Sequence, residues 1–477
     1  MKKDLSLAKN AILNGIRQVF TIIFPLITFP YASRVLGAEF YGKINFSSSV
    51  ITYISLIAGL GIYSYAVREC SKRVNKDDFN DTLNEILTLN ICSTLIAYAV
   101  LIILIIIWPK LSSYLTILVI QAALIIFQTI GMEWLNSVFE DYLYLTVRYV
   151  ACQLISIILM FATVKTDKDY LWYVFSCLLG NMLSNITNFF YAKKRYNLKL
   201  KIVSFRRFKK HLKPVLILFG SVIALEVYVN SDITLIGYFL DDASVGYYSV
   251  SVKIYMLIKS LFNAFLLVAM PRFSKEFAYE IEENAEKKLS EILSLLLLII
   301  LPAAAGLIQL SKNIILLIAG EGYVLSDFPL KVLSVALIFA TVACFFVNLI
   351  MIPKSMDKSV TKATMLSAVI NIVLNIVLIP KYGIIAAAFT TLLSECIMAL
   401  CGVIYTKRAV KLNIKGALLT GVIGSVIVFA VTKLVFSLIS NNVVQIILSV
   451  IFSVLIYGLL LLILLCKKGV LKHRNKI

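Results

Sequence analysis

Runs of about twenty apolar residues, separated by short polar links, recur along the whole 477-residue chain. At 1.5 Å of rise per residue, a helix of that length crosses a hydrocarbon core of about 30 Å. Fourteen such spans can be placed, at about 11–32, 43–64, 82–107, 113–132, 144–164, 170–191, 214–240, 246–269, 289–310, 327–351, 361–379, 384–405, 415–438 and 442–466. No stretch shows the alternating polarity, about ten residues long, of a membrane barrel strand. The expected fold is an all-α polytopic membrane protein.

The charges orient it. With both termini cytoplasmic, 34 of the 46 Lys and Arg fall at cytoplasmic ends, eight in outer loops and four inside spans, an asymmetry that follows the positive-inside rule. The net charge of +20 therefore reads as topology and attraction to anionic lipid, and no basic–aromatic nucleic-acid module accompanies it. The composition agrees, with 60% hydrophobic residues, 15% charged and a mean hydropathy of +0.91. Trp108, Trp134 and Trp172 fall at expected helix ends, as in an interfacial belt. The first apolar run contains Asn14 and Arg17 and reads as a retained span, not a cleaved signal.

Two halves resemble each other. A shift of 204 residues lays Leu36 on Leu240, Gly42 on Gly246 and Arg68 on Arg272 in the same orientation. The expected organisation is a six-helix lobe at 1–192, a basic linker at 193–213, a second six-helix lobe at 214–406, and two further helices with a basic tail at 407–477. Pseudo-symmetric lobes of this kind enclose a central cavity. Within the linker, Ile202, Phe205, Phe208 and Leu212 fall at helical spacing among cations, which predicts an amphipathic helix on the inner membrane surface.

Polar stripes mark spans one and two, including Asn14, Arg17 and Thr21 on the first and Asn45, Ser48 and Ser49 on the second. Small polar residues also serve to pack helices, but a cation inside a span must be paired or hydrated, so Arg17 is expected to line the cavity. Spans seven and eight place Asp232 level with Lys253 and Glu226 level with Lys259, suggesting charge pairs. Glu395 stands mid-span, a group suited to pairing or to ion coupling. The eight cysteines form no C-x-x-C pair and the two histidines lie in basic links, so neither a metal site nor a histidine base is expected. No P-loop, H-E-x-x-H or nucleophile elbow is present, and the outer loops are short, which argues against an enzyme. Pro25 and Pro30 are expected to bend and then end the first helix, with Tyr31–Gly42 turning the chain back.

PLITFPYASRVLGAEFYG and LGIYSYAVREC resemble the opening of Wzx-type polysaccharide flippases, in the multidrug/oligosaccharidyl-lipid/polysaccharide exporter superfamily. MEWLNSVFEDYLYLTVR (132–148), NSDITLIGYFLDDASVGYYSVSVKIY (230–255), MPRFSKEF (270–277) and IPKYGIIAAAFTTLLSE (379–395) continue the resemblance in the family's order. It implies fourteen helices and alternating access. The implied cargo is an undecaprenyl-diphosphate-linked oligosaccharide, flipped from the inner to the outer leaflet of a bacterial cytoplasmic membrane for surface polysaccharide. Anionic lipids, a polysaccharide polymerase and chain-length machinery are the implied partners. No cofactor is expected, and coupling to a proton or sodium gradient is an expectation that the resemblance itself does not establish.

On this reading Arg17, Asn14, Asn45, Lys253 and Lys259 line the substrate cavity, and Glu226, Asp232 and Glu395 serve charge pairing or ion coupling. Pro30, Arg34, Gly37, Gly42, Asp242 and Gly246 form an outer gate. Arg68, Glu69, Glu133, Glu140, Arg148 and Arg272 stand at the cytoplasmic mouth. The turn FLDDASVG is acidic where the first lobe has VLGAEFYG, a departure from strict symmetry. A multidrug or cation antiporter of the same fold is the alternative, and a glycan polymerase or ligase a weaker one.

Overall fold

The structure, a computed structural model, describes residues 2–73, 76–278, 282–407 and 410–467. Fifteen helices are described: α1 (Lys2–Gly59), α2 (Ile62–Cys70), α3 (Lys76–Ile107), α4 (Leu115–Gly131), α5 (Trp134–Val138), α6 (Tyr142–Thr163), α7 (Tyr170–Arg195), α8 (Phe205–Phe239), α9 (Asp242–Ala278), α10 (Glu282–Ile318), α11 (Asp327–Phe346), α12 (Asp357–Tyr382), α13 (Ile384–Thr406), α14 (Lys415–Leu438) and α15 (Asn442–Lys467). Among the described residues, eleven helices are long and apolar enough to cross a membrane, and α8 makes a twelfth if its two arms count as one span. Those arms, Phe205–Ala224 and Glu226–Phe239, meet at a 51° bend. The chain divides into two compact units, Met1–Gly246 and Tyr247–Ile477, so α8 belongs to the first.

In the first unit, α1 has 58 residues, which would be about 87 Å if straight, far more than a bilayer. It breaks at Gly37, whose φ of 69° is costly for any residue with a Cβ. The break is not at Pro30. Both Pro25 and Pro30 lie inside the helix, contrary to the expectation that Pro30 ends it. Each proline removes one backbone donor but keeps a helical φ, and a buried environment can absorb the freed carbonyl. The expected link over Tyr31–Gly42 is thus a one-residue break between two long arms.

The second arm crosses the start of α9 at closest approach. A Cβ on Gly42 would stand 1.7 Å from the Asp242 carbonyl oxygen, and one on Gly246 would stand 2.1 Å from the Ala38 carbonyl oxygen. The two glycines matched across the halves therefore meet at one crossing. The acidic turn has a local cause as well. Asp241 accepts the Ser244 N–H at 2.8 Å, an N-terminal cap that, with the Ser244 side chain, holds its carboxyl below the usual range. Asp242 accepts from the Tyr114 hydroxyl, and Lys110 donates to the Leu240 carbonyl at 2.8 Å.

Large apolar side chains cover the outside, while the interior combines apolar residues with buried polar ones. Ile106 and Ile107 are more than 70% exposed, while Asn188 and Ser176 are fully buried. The inward polar groups join helices: Ser93 donates to Ala58 O at 2.6 Å, Gln121 to Ser48 at 2.7 Å, Thr234 to Ser49 at 2.9 Å and Asn188 to Gly131 O at 2.6 Å. This is how helices associate where lipid removes the hydrophobic incentive to pack. The stripe of span two accordingly ties helices together, and Asn45 donates back to Tyr41 O of its own helix at 2.7 Å. Trp134 is buried in a cluster with Tyr65 and Phe208 and is not an interfacial anchor.

The linker also departs from expectation. Residues 198–204 are non-helical and run along α3, where Asn84 receives the Lys201 N–H at 2.8 Å and donates to Lys199 O at 2.8 Å. Thr88, one turn on, receives the Val203 N–H at 3.1 Å. The following helical turns open α8, and they bury Phe208 and His211 against protein while leaving Ile202 and Phe205 exposed. The apolar face at Phe208 is therefore spent on the protein core, because α2 and α3 offer it an apolar wall.

In the second unit, α10 packs on α11 and α14, and α13 packs on α11 and α12. Gly421 and Gly424 let α14 approach Leu301 and Pro302 of α10. Asn375 accepts from Thr390 and donates to Asn371, a polar seam between α12 and α13.

Gly42→Ala or Gly246→Ala should destabilise the protein by about 3 kcal/mol or prevent folding, since backbone cannot move as a flexible side chain can. Gly15→Ala, with open space around the site, should be neutral or slightly stabilising. Thermal unfolding of the purified variants in detergent distinguishes the two cases.

Candidate functional site

Arg17 lies twenty residues before the Gly37 break, about 30 Å along its arm, so it stands at the far end of the span and not within it. That end also holds the junction of α4 and α5. The chain leaves α4 through Met132, whose φ of 46° is rare outside glycine, and this turn presents Glu133 just before α5. Glu133 Oε1 accepts from Arg17 and also lies 3.4 Å from Nη2 of Arg148 on α6. One carboxylate thus serves two guanidiniums, leaving a surplus of one positive charge.

Arg148 is 4% exposed at its side chain, and its Nε and Nη1 have no hydrogen-bond acceptor among the described residues. Aromatic rings supply part of its environment. Arg148 lies 5.4 Å from the centroid of Tyr144 and Arg17 lies 5.7 Å from that of Tyr149. Tyr144 stacks on Tyr191 at 3.6 Å, and Tyr191 and Tyr196 both donate to Asp141. Tyr63 of α2 meets Ser137 of α5 at 2.7 Å, closing the same end. The cluster combines half-open access at Glu133, 30% exposed, with unsatisfied donors deeper in. Chemically it is a site for an anion with several acceptor oxygens.

A second buried ion pair lies in the other unit. Lys259 donates to Glu395 at 2.5 Å, and the Tyr255 hydroxyl donates to the same oxygen at 2.8 Å. The pair expected between Lys259 and Glu226 is therefore not formed, because Glu395 of α13 is Lys259's partner and Glu226 accepts from Asn230 of its own helix. Glu395 is accordingly not isolated.

The remaining expected residues are spread out. Asp232 is buried, Lys253 half-buried, and Arg34 and Glu140 are exposed. Arg68 lies over the Tyr65 ring at 5.5 Å and pairs with Glu69 at 3.6 Å, while Glu69 also holds Lys72 at 3.0 Å. The side chains of Asn14 and Arg272 lie outside the described residues.

Sequence reasoning placed Arg17 in the cavity and Glu133 with Arg148 at a mouth; the structure makes them one cluster. It missed a network built on His211, which was set aside as a loop residue. His211 is 4% exposed and sits between the Tyr65 hydroxyl, at 2.6 Å, and Glu85, at 2.9 Å. The available signal was Glu85, an acidic residue inside span three beside the helical stripe Asn80, Asn84 and Thr88.

Lys259→Met should lower stability by about 3 kcal/mol, because it strands a buried carboxylate, and Lys259→Met with Glu395→Leu should recover most of that loss. Unfolding of single and double variants measures the coupling, and an unrecovered double variant would show a role beyond mutual neutralisation.

The comparisons with known proteins agree with one another. A candidate O-antigen transporter of Shigella dysenteriae is 21% identical over 403 residues, covering 84% of this chain and all of that protein. One of Escherichia coli (strain K12) is 22% identical over 404 residues, covering 83% of this chain and 95% of that protein. Among solved structures, the lipid II flippase MurJ in an inward closed conformation superposes with a TM-score of 0.74 at 20% identity, covering 94% of this chain and 98% of that one. This likeness establishes the fold. The family model described as polysaccharide biosynthesis protein matches residues 7–277, more than half of the chain, and the protein belongs to that family.

Proposed function

We propose that this protein is a flippase that carries an undecaprenyl-diphosphate-linked oligosaccharide from the inner to the outer leaflet of the cytoplasmic membrane by alternating access. The observation that carries the reading is the Arg17–Glu133–Arg148 cluster, a cationic, partly open site inside an apolar-walled bundle. The transporter names of the relatives and the flippase fold support it. A diphosphate and sugars cannot cross hydrocarbon unaided, whereas a prenyl tail can remain in it. In this scheme the incoming diphosphate displaces Glu133 and offers acceptors to the open nitrogens of Arg148, an exchange of one anion for another. The fourteen spans of the scheme count the arms of α1 separately and include α7, with both termini cytoplasmic.

The Gly42–Gly246 crossing with Pro30, Arg34 and Gly37 closes the outer side, and the buried carboxyl of Asp232 is where a proton or sodium gradient would act. A polymerase and chain-length machinery take the cargo outside. The Lys259–Glu395 pair weighs against a cation antiporter, since it neutralises an acid that such a site would need free.

Reconstituted vesicles with a fluorescent lipid-diphosphate oligosaccharide provide the test. Arg17→Ala and Arg148→Ala should each slow flipping about tenfold or more, the scale of a lost charge-assisted hydrogen bond. Wild-type rates in the double variant would refute the reading.

A further inference from the structure

The short helix α5 is held between two strained corners. Met132 before it has a φ of 46° and Glu140 after it a φ of 55°, both rare for residues with a Cβ. The first corner presents Glu133 to the arginines. The second presents Phe139 and Asp141, and it is closed by the Phe139 N–H on Leu135 O at 3.0 Å and the Asp141 N–H on Asn136 O at 2.8 Å.

This second corner carries a ring and a carboxylate, each fixed on one side and open on another. Phe139 stacks on Tyr196 with centroids 3.9 Å apart, yet it is 43% exposed, so much of its ring stays open. Asp141 Oδ2 accepts the Tyr191 hydroxyl at 2.5 Å and the Tyr196 hydroxyl at 3.3 Å. Asp141 Oδ1 has no partner among the described residues, and the side chain is half-buried. Both features adjoin the arginine cluster. Tyr191 stacks on Tyr144, and Arg148 lies over the Tyr144 ring. From its N-cap inward, α6 carries Asp141, Tyr144 and Arg148 along one face, about 10 Å from first to last. An interfacial belt would set rings singly toward headgroups, whereas these stack on one another and spend two hydroxyls on a carboxylate.

A pyranose offers an apolar C–H face bordered by hydroxyl donors, which suits an open aromatic ring beside an oriented carboxylate oxygen. We propose that Phe139 and Asp141 form a rim that binds the sugar next to the diphosphate while Arg17 and Arg148 hold the diphosphate itself. The rim rests on the flippase reading and adds a direction and a preference to it. Phosphate is drawn to the arginine end and repelled from Asp141, so the cargo enters with its sugar toward the second corner. The same carboxylate disfavours an acidic sugar, because a uronate there would stand beside a like charge. The rim therefore selects a neutral sugar at that position.

Binding to the full-length protein in nanodiscs tests this, with undecaprenyl diphosphate, undecaprenyl-diphosphate-glucose and undecaprenyl-diphosphate-glucuronic acid as probes. Glucose should tighten wild-type binding about tenfold over the bare diphosphate, the scale of one hydrogen bond to a charged group. Phe139→Leu should cut that gain about threefold, the scale of a lost ring contact. The wild type should bind the glucuronic acid probe about tenfold more weakly than the glucose probe. Asp141→Asn keeps an acceptor for the two tyrosines and should bring those affinities together. Both positions are partly exposed, so neither change empties the core. Arg148→Ala should weaken all three probes alike, because they share the diphosphate. Wild-type affinities that ignore the sugar, or sugar preferences untouched by Phe139→Leu and Asp141→Asn, would overturn the rim and leave the flippase reading standing. A bare lipid diphosphate whose affinity ignores Arg148→Ala would overturn that reading, and the rim with it.

Discussion

In hydrocarbon a polar group without a partner cannot turn to water, and that constraint governs most of what this chain does. The helices meet through hydroxyls and amides donated to neighbouring carbonyls, as with Ser93 on Ala58 and Asn188 on Gly131. Where backbones touch directly, glycine makes room, as at Gly42 and Gly246. Many large apolar residues face outward, while others, such as Leu83 and Phe345, fill the interior. Against this background buried donors without an acceptor are conspicuous, and Nε and Nη1 of Arg148 are such donors.

The charged side chains sort into three kinds of pairing. Lys259 and Glu395 are matched one to one, with a tyrosine completing the carboxylate. Glu85 is oversupplied, gathering a histidine, a lysine and an arginine. Glu133 is oversupplied on a single oxygen, for which two arginines compete. A one-to-one pair is suited to holding helices in place. The uneven clusters can change partners at small net cost, since removing one partner still leaves another.

Much of the helical architecture was legible because span length and the helical spacing of apolar residues each act locally. Gly42 and Gly246, aligned across the halves as an expected repeat, are instead in contact at one crossing. What the sequence could not convey was depth and partnership. Arg17 falls inside the span if Pro30 ends its helix; with the break at Gly37 the arm lengthens and Arg17 lies at its far end. Lys259 was paired by level with Glu226, but α13 brings Glu395 beside it, and only tertiary packing decides that. His211 looked like a loop residue because nothing nearby in sequence indicates that α2 and α3 cover it.

The polar face of α7 has a consequence for how the protein is made. Ser176, Ser184 and Asn188 are buried in the folded first unit, and α7 is absent from the helices apolar enough to cross a membrane by themselves. As it leaves the ribosome, α7 has little affinity for lipid of its own. Its lodging in the bilayer depends on packing against α4 and α6, already synthesised, where Asn188 donates to Gly131 O and Ser156 donates to Ser176 O. Insertion of this helix is thus an act of folding, and the order of synthesis ensures that its hosts come first.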